Sequence, residues 1–191
     1  PRLQRTNNYG FKSSVIDSSI IEQYISANLS DLISGSTPLF VKNYGGILAT
    51  PSFRGTGASH TIISWNGINI NSPMAGQTDL STVPLSHIGE IEIYYGAASL
   101  LKFSGAFGGN VNLITKPSYH SVTTASLSSV TGSFGKYGFQ GTMATGNDNF
   151  QSLTSLSYNT AKNDFIFRNE YSGSEPVLQK RLNNESVGKD F

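Results

Sequence analysis

Three histidines, one serine in a glycine-rich turn and a few carboxylates are the residues whose types could do chemistry, and their spacing argues against most of it. His60, His87 and His120 share neither an i,i+4 helical spacing nor a short loop spacing, so they do not predict a metal site. Ser99 closes Gly96-Ala97-Ala98-Ser99 rather than a Gly-x-Ser-x-Gly elbow and has no histidine close in sequence, which argues against a nucleophile. Gly55-Thr56-Gly57 lacks the third glycine of a dinucleotide fingerprint. Asp148, Asp164 and Asp190 carry oxygens of the kind calcium takes, but they stand apart and read as solvated loop carboxylates. With no cysteine there is neither a thiolate site nor a disulfide framework. No catalytic residue, metal or cofactor is expected, and the chain is not read as an enzyme.

The sets that remain suit binding and packing. Arg54, Glu90 and Glu92 form the most suggestive charged group. An arginine on a central strand is expected to pair with carboxylates of a neighbouring strand, because an unpaired buried charge costs several kcal/mol. The alternative is a solvated ion pair worth ~0–1 kcal/mol. Two loops combine donors, acceptors and apolar tips. One holds Asn43, Tyr44, Gly45 and Gly46; the other holds Asn71, Ser72, Pro73 and Met74 and continues to Thr78. That make-up fits a surface for a large amphipathic small molecule, or else two plain connectors.

The elements that must position these residues follow from periodicity and punctuation. Asp17, Ser18 or Ser19 can cap a short helix over residues 20–24, and Asn28 or Ser30 another over residues 29–33 that Gly35 and Pro38 end. Ile20, Ile21, Leu29, Leu32 and Ile33 are then core. Residues 39–42 predict a strand, residues 53–55 a returning strand, and residues 62–70 a hairpin about Asn66-Gly67, the preferred pair for a two-residue turn. Residues 90–94 and 110–115 alternate as strands around a stretch that reads as turn, helix and turn. There Gly105, Gly108 and Gly109 allow positive φ and close backbone approach.

Composition sets the limits. In 191 residues only 13% are charged, about half the ~25% of ordinary soluble domains, and the hydrophobic share is a modest 37%. Such a chain suits enclosure by, or embedding in, something else. A net charge of +1, with basic residues scattered among acids, gives no case for nucleic acid. No apolar run reaches the ~18 residues of a membrane helix. The start at Pro1, without methionine or signal peptide, is read as a processed or partial product.

After Pro117 the character changes. Between residues 118 and 160 the charged residues are Lys136 and Asp148, each in an expected turn. Tyr137, Phe139 and Met143 share one strand face against Gln140 and Thr142, and Leu156 and Tyr158 oppose Ser155, Ser157 and Asn159. Strands that keep charge only at their ends meet the demand of a bilayer, where a mid-plane Lys or Arg on the lipid face costs ~2–4 kcal/mol. A soluble Ser/Thr-rich sandwich is the alternative for this segment. Residues 161–191 read as a long polar loop, with a further strand starting near residue 185.

The motifs from Phe53-Arg54-Gly55, through Ile62-Ile63-Ser64-Trp65-Asn66-Gly67-Ile68-Asn69-Ile70, Asp79-Leu80, Ile88-Gly89-Glu90-Ile91-Glu92-Ile93 and Gly96-Ala97-Ala98-Ser99, to Gly108-Gly109-Asn110-Val111-Asn112-Leu113-Ile114-Thr115 resemble, in order and spacing, the plug domain of TonB-dependent outer-membrane transporters. Tyr95 stands where that family usually has arginine, and Asn66-Gly67 replaces its Asp-Gly. The resemblance implies an α+β plug domain over residues 1–117. The first antiparallel strands of a transmembrane β-barrel and an extracellular loop follow over residues 118–191, the barrel being incomplete in this chain. It implies gated import across the bacterial outer membrane, driven by the TonB–ExbB–ExbD complex pulling on a segment upstream of the plug. The barrel would contact outer-membrane lipid, and a surface lipoprotein is a further partner to consider. Residues 43–46 and 71–74 would form the substrate-facing apex, and Arg54, Glu90 and Glu92 would serve structure or release coupling. Arg54-Gly55-Thr56-Gly57-Ala58-Ser59-His60, Trp65-Asn66-Gly67 and Asn71-Ser72-Pro73-Met74-Ala75-Gly76-Gln77 look most like the cobalamin-transporting branch, so the expected cargo is a corrinoid. The alternatives are a ferric siderophore or haem importer of the same family, and a non-transporting plug-like receptor or interaction module.

Overall fold

The computed structural model describes residues 7–8, 11–24, 27–44, 48–100, 103–116, 123–147, 149–162, 164, 166–169, 177–180 and 186–190. The chain divides into two compact units, Pro1–Tyr119 and His120–Phe191.

In the first unit the elements run β1 (Asn7–Asn8), β2 (Phe11–Asp17), α1 (Ser18–Gln23), α2 (Leu29–Ser36), β3 (Phe40–Asn43), β4 (Ala49–Ser52), a 3-10 turn (Ala58–His60), β5 (Thr61–Trp65), β6 (Ile68–Asn69), β7 (Glu90–Tyr95), α3 (Ala97–Leu100) and β8 (Gly109–Ile114). The main sheet has the order β1-β2-β7-β8-β5-β6. Its β5–β8 pair is parallel and the others antiparallel, while among the described residues β3 and β4 pair only with each other. Alternation in β7 makes one face apolar. Register aligns Ile16, Ile91 and Leu113 in one row and Ile93, Val111 and Ile63 in the next, all buried. Against this face pack Ile20 and Ile21 of α1 and Leu29, Leu32 and Ile33 of α2, as the periodicity predicts.

Two helix boundaries differ from expectation. Asp17 is the N-cap of α1, but its side chain makes no capping bond, whereas the Asn28 side chain accepts from the Asp31 N–H and caps α2. α2 continues past Gly35 to Ser36, where the Thr37 N–H and hydroxyl both bond to the Ile33 carbonyl. The larger correction concerns residues 53–55. The returning strand is β4, which ends at Ser52, and Phe53, Arg54 and Gly55 form the turn after it, with Arg54 and Gly55 at φ 49° and 82°. Pro51 lies on this two-stranded ribbon, outside the main sheet, so its missing N–H costs no central ladder bond.

The glycine-rich stretch closes as expected. A Cβ on Gly109 would stand 2.5 Å from the Phe53 ring, so only glycine lets β8 lie against that ring. Asn66 and Gly67, at φ 48° and 84°, form the two-residue turn between β5 and β6.

The second unit holds β9 (Thr124–Gly132), β10 (Lys136–Gly146), β11 (Gln151–Ala161), β12 (Ile166–Asn169), β13 (Val177–Lys180) and β14 (Ser186–Asp190). β14-β11-β10-β9 is an antiparallel sheet, and β12 and β13 form a separate hairpin. Within the stretch expected as a long loop, β12 and β13 pair with each other, while β14 is the further strand expected to start near residue 185, with Asp190 opposite Ser157. β9, β10 and β11 contain 9, 11 and 11 residues, against the ~9–11 a strand needs to cross a bilayer. Their register lines up Ser129, Phe139 and Tyr158, then Leu127, Gly141 and Leu156, then Ala125, Met143 and Thr154 on one face. The rows Ser128, Gln140, Ser157 and Ser126, Thr142, Ser155 make the other. One face is thus apolar and exposed, with Leu127, Tyr137, Phe139, Met143, Leu156 and Tyr158 all outward, and the other is hydroxyl-rich. No helix among the described residues is long and apolar enough to cross a membrane, which bears on helices alone.

Candidate functional site

The two loops expected to bind are brought to one end of the first unit. β3 and β4 form a ribbon whose register pairs Asn43 with Ala49, so the chain turns over between them. Asp79, at the end of the second loop, ties the two together: its Oδ1 accepts from the Ala49 N–H at 2.9 Å and from the N–H and hydroxyl of Ser81, while the Leu80 N–H donates to the Ala49 carbonyl. A cleft of about 190 Å³ opens between them, lined by Tyr44 and Leu48 from one loop, Gln77 from the other, and Lys42 and Thr50 of the ribbon. Lys42, Leu48, Gln77 and Asp79 are not among the binding residues expected from sequence. Composition could not single them out, because only the fold brings Lys42, Leu48 and Gln77 round the cleft with Tyr44 and sets Asp79 against Ala49.

The expected site residues have different roles. Tyr44 is 56% exposed at the cleft wall, and Asn43 is exposed at the end of β3. Gly45 and Gly46 lie outside the described residues. Asn71 uses its whole amide internally. It accepts from the Ile63 N–H and the Thr78 hydroxyl, both at 3.0 Å, and donates to the Thr61 and Gly76 carbonyls at 2.8 and 3.0 Å. Asn71 is thus the pin that holds residues 71–78 to the edge of β5. Ser72 accepts from the Gly76 N–H through its carbonyl and from the Ala75 N–H through its hydroxyl, closing the turn. Pro73 and Met74 stand at its tip, Met74 98% exposed, outside the cleft lining.

The charged set is not assembled as expected. Arg54 sits exposed in the turn after β4, on a ribbon outside the main sheet, instead of on a central strand. Glu90 forms an ion pair with Lys116, and Glu92 accepts from the Tyr94 hydroxyl at 2.9 Å and the Asn112 amide at 3.2 Å. That amide leads further: Ser64 donates to Asn112 Oδ1 at 2.9 Å, and Asn110 donates to Ser64 at 3.1 Å. A polar ladder therefore crosses β7, β8 and β5 on the face opposite the apolar core, with Glu92 at one end. Lys116 was legible in principle. Once β7 and β8 pair with Glu90 opposite Ile114, residue 116 falls on the diagonal neighbour position. Among the described residues no group of three His, Cys, Asp or Glu side chains converges as a metal site would.

The vitamin B12 transporter BtuB of Photobacterium profundum is 36% identical over 94 residues, which is 49% of this chain and 15% of that protein. The copper transporter OprC has a similar fold at a TM-score of 0.68 and 16% identity, over 84% of this chain and 25% of its own. The ferripyoverdine receptor of the outer membrane of Pseudomonas aeruginosa does so at 0.66 and 18%, over 83% and 21%. This chain thus spans a quarter or less of the length of each. The family is one of transporters and receptors of the Gram-negative outer membrane rather than of enzymes, and the open sheet of the second unit is the beginning of its barrel. Residues 6–110, more than half of the chain, match the TonB-dependent Receptor Plug Domain, and the chain belongs to that family.

Proposed function

We propose that this chain is the plug and opening barrel strands of an importer that takes up a corrinoid of the cobalamin type across the bacterial outer membrane. The plug closes the barrel lumen until the TonB–ExbB–ExbD complex draws on it from the periplasmic side. The observation that carries the reading is the cleft that Tyr44, Leu48 and Gln77 line together, formed by two loops that lie far apart in sequence. Its wall mixes a phenol, an amide and an aliphatic chain, which suits a large ligand with an apolar body and amide edges. The choice of corrinoid is supported by the 36% identity to a vitamin B12 transporter over half the chain.

Asn43, Tyr44 and the Pro73-Met74 tip are the ligand-facing groups in this reading, while Asn71 and Ser72 shape the loop. Arg54, Glu90 and Glu92 act in plug structure and its release. The outward rows of β9, β10 and β11 meet outer-membrane lipid, and a surface lipoprotein covering the extracellular end is a compatible partner. A second reading, an anionic cargo such as a ferric siderophore or haem, is favoured by Lys42 in the cleft wall. Titration calorimetry on the intact receptor tests the choice. Cobalamin should bind, and Tyr44→Ala should weaken it about tenfold, the ~1.4 kcal/mol expected of losing one aromatic contact. Binding of a ferric siderophore with no heat from cobalamin would favour the second reading instead.

A further inference from the structure

The turn between β5 and β6 carries covalent chemistry of its own. Asn66 is the asparagine of this chain that a glycine follows, and both residues are exposed. In such a pair the glycine nitrogen can attack the asparagine side-chain amide, because no Cβ screens it. A bond forms from Gly67 N to Asn66 Cγ and the bond from Cγ to Nδ2 breaks. The Gly67 N–H proton leaves with that nitrogen as ammonia, and a five-membered succinimide remains. Solvent water then opens one or other ring carbonyl, giving aspartate, or isoaspartate with an extra methylene in the main chain.

The seat of the turn restrains both partners of this reaction. The Gly67 N–H donates at 3.1 Å to Oδ1 of Asn112, an amide oxygen that holds the hydrogen but is too weak a base to remove it. Asn112 is only 8% exposed and is itself fixed, since the same oxygen accepts from the Ser64 hydroxyl at 2.9 Å and its Nδ2 donates to Glu92 at 3.2 Å. The Asn66 amide is held from the other side, its Oδ1 accepting from the Thr115 N–H at 2.9 Å, while the Asn66 N–H donates to the Leu113 carbonyl at 2.8 Å. Attack requires the Gly67 nitrogen free of its acceptor and the Asn66 amide turned toward it, so contacts at both ends must break first.

We propose that Asn66 is a deamidation site that the end of β8 holds in check, with Asn112 as the residue that restrains the attacking nitrogen. The amide persists while the turn is seated on residues 112–115 and is lost once the hairpin lifts from them. The two products differ in consequence. Aspartate keeps an oxygen for the Thr115 N–H, so the turn stays seated. Isoaspartate lengthens the main chain inside a two-residue turn whose register pairs Trp65 with Ile68, and so unseats it. None of this depends on which cargo is carried.

The intact receptor, kept in mildly alkaline buffer either native or unfolded in urea, tests the proposal by peptide mass spectrometry that separates aspartate from isoaspartate at position 66. Conversion should be about a hundredfold slower in the native receptor, roughly tenfold for each of the two held groups. Equal native and unfolded rates, or no conversion in the unfolded chain, would overturn the proposal, and this comparison needs no variant to fold. Asn112→Ala should raise the native rate about tenfold. Asn110→Ala cuts the same polar ladder without a bond to the turn and should leave the rate at the wild-type value. Equal rates in the two variants would overturn the role given to Asn112.

Discussion

Asn71 shows how a residue placed by composition in a binding loop can be spent on holding that loop. All its amide hydrogen-bonding capacity faces inward, so Asn71→Ala leaves the Ile63 N–H and two carbonyls without their partner. Unsatisfied buried groups cost ~1–3 kcal/mol. The variant should lower plug stability by about that much in urea unfolding of the isolated first unit, or of the intact receptor if that unit does not fold alone. Tyr44→Ala, exposed and outside the core, should leave the urea midpoint unchanged while weakening ligand. The Glu90–Lys116 pair is a weaker contact, since the Lys116 side chain is 55% exposed. Lys116→Ala should cost no more than ~1 kcal/mol in the same assay. What sequence could not reveal at this scale was partnership. Arg54, Glu90 and Glu92 looked like one group because their charges are opposite, yet the turn after β4 carries Arg54 off the main sheet, and Glu92 instead heads a ladder through Asn112, Ser64 and Asn110.

At the scale of elements, periodicity was the reliable guide. Alternation in β7, the Asn66-Gly67 turn and the apolar face of α2 are each fixed by local chemistry, and the structure keeps them. The strand expected at residues 53–55 failed because Arg54, like Gly55 after it, takes a positive φ, which a non-glycine residue type does not signal. Gly109 illustrates the converse. Its need for close approach was legible, but its contact, the Phe53 ring, was not. Gly109→Ala should force that ring to shift, costing ~1–3 kcal/mol as overpacking does, seen as a lower unfolding midpoint and altered Phe53–Tyr95 ring contacts by NMR. In β10, Phe139 and Gln140 point to opposite faces. A Phe139→Lys substitution should impair barrel assembly by ~2–4 kcal/mol, while Gln140→Lys should be tolerated. Heat-modifiable migration of the assembled receptor on gels reads the difference, and equal assembly of the two would contradict the assignment of faces.

For the whole molecule, two bodies of different composition imply two surroundings. The first unit has a conventional buried core under a mixed sheet, and so is stable by ordinary apolar burial. The second turns Leu127, Phe139, Met143, Leu156 and Tyr158 outward, an exposed apolar row that water does not favour and lipid does. The low charge of the chain suits both, since neither an apolar core nor a strand crossing a bilayer has room for many ions. We propose above that the body with the Tyr44 cleft binds a corrinoid for import. Accumulation of radiolabelled cobalamin by cells carrying the intact receptor tests it most directly. Uptake should appear with the receptor, vanish when TonB is deleted and fall with Tyr44→Ala; equal accumulation with and without the receptor would contradict it.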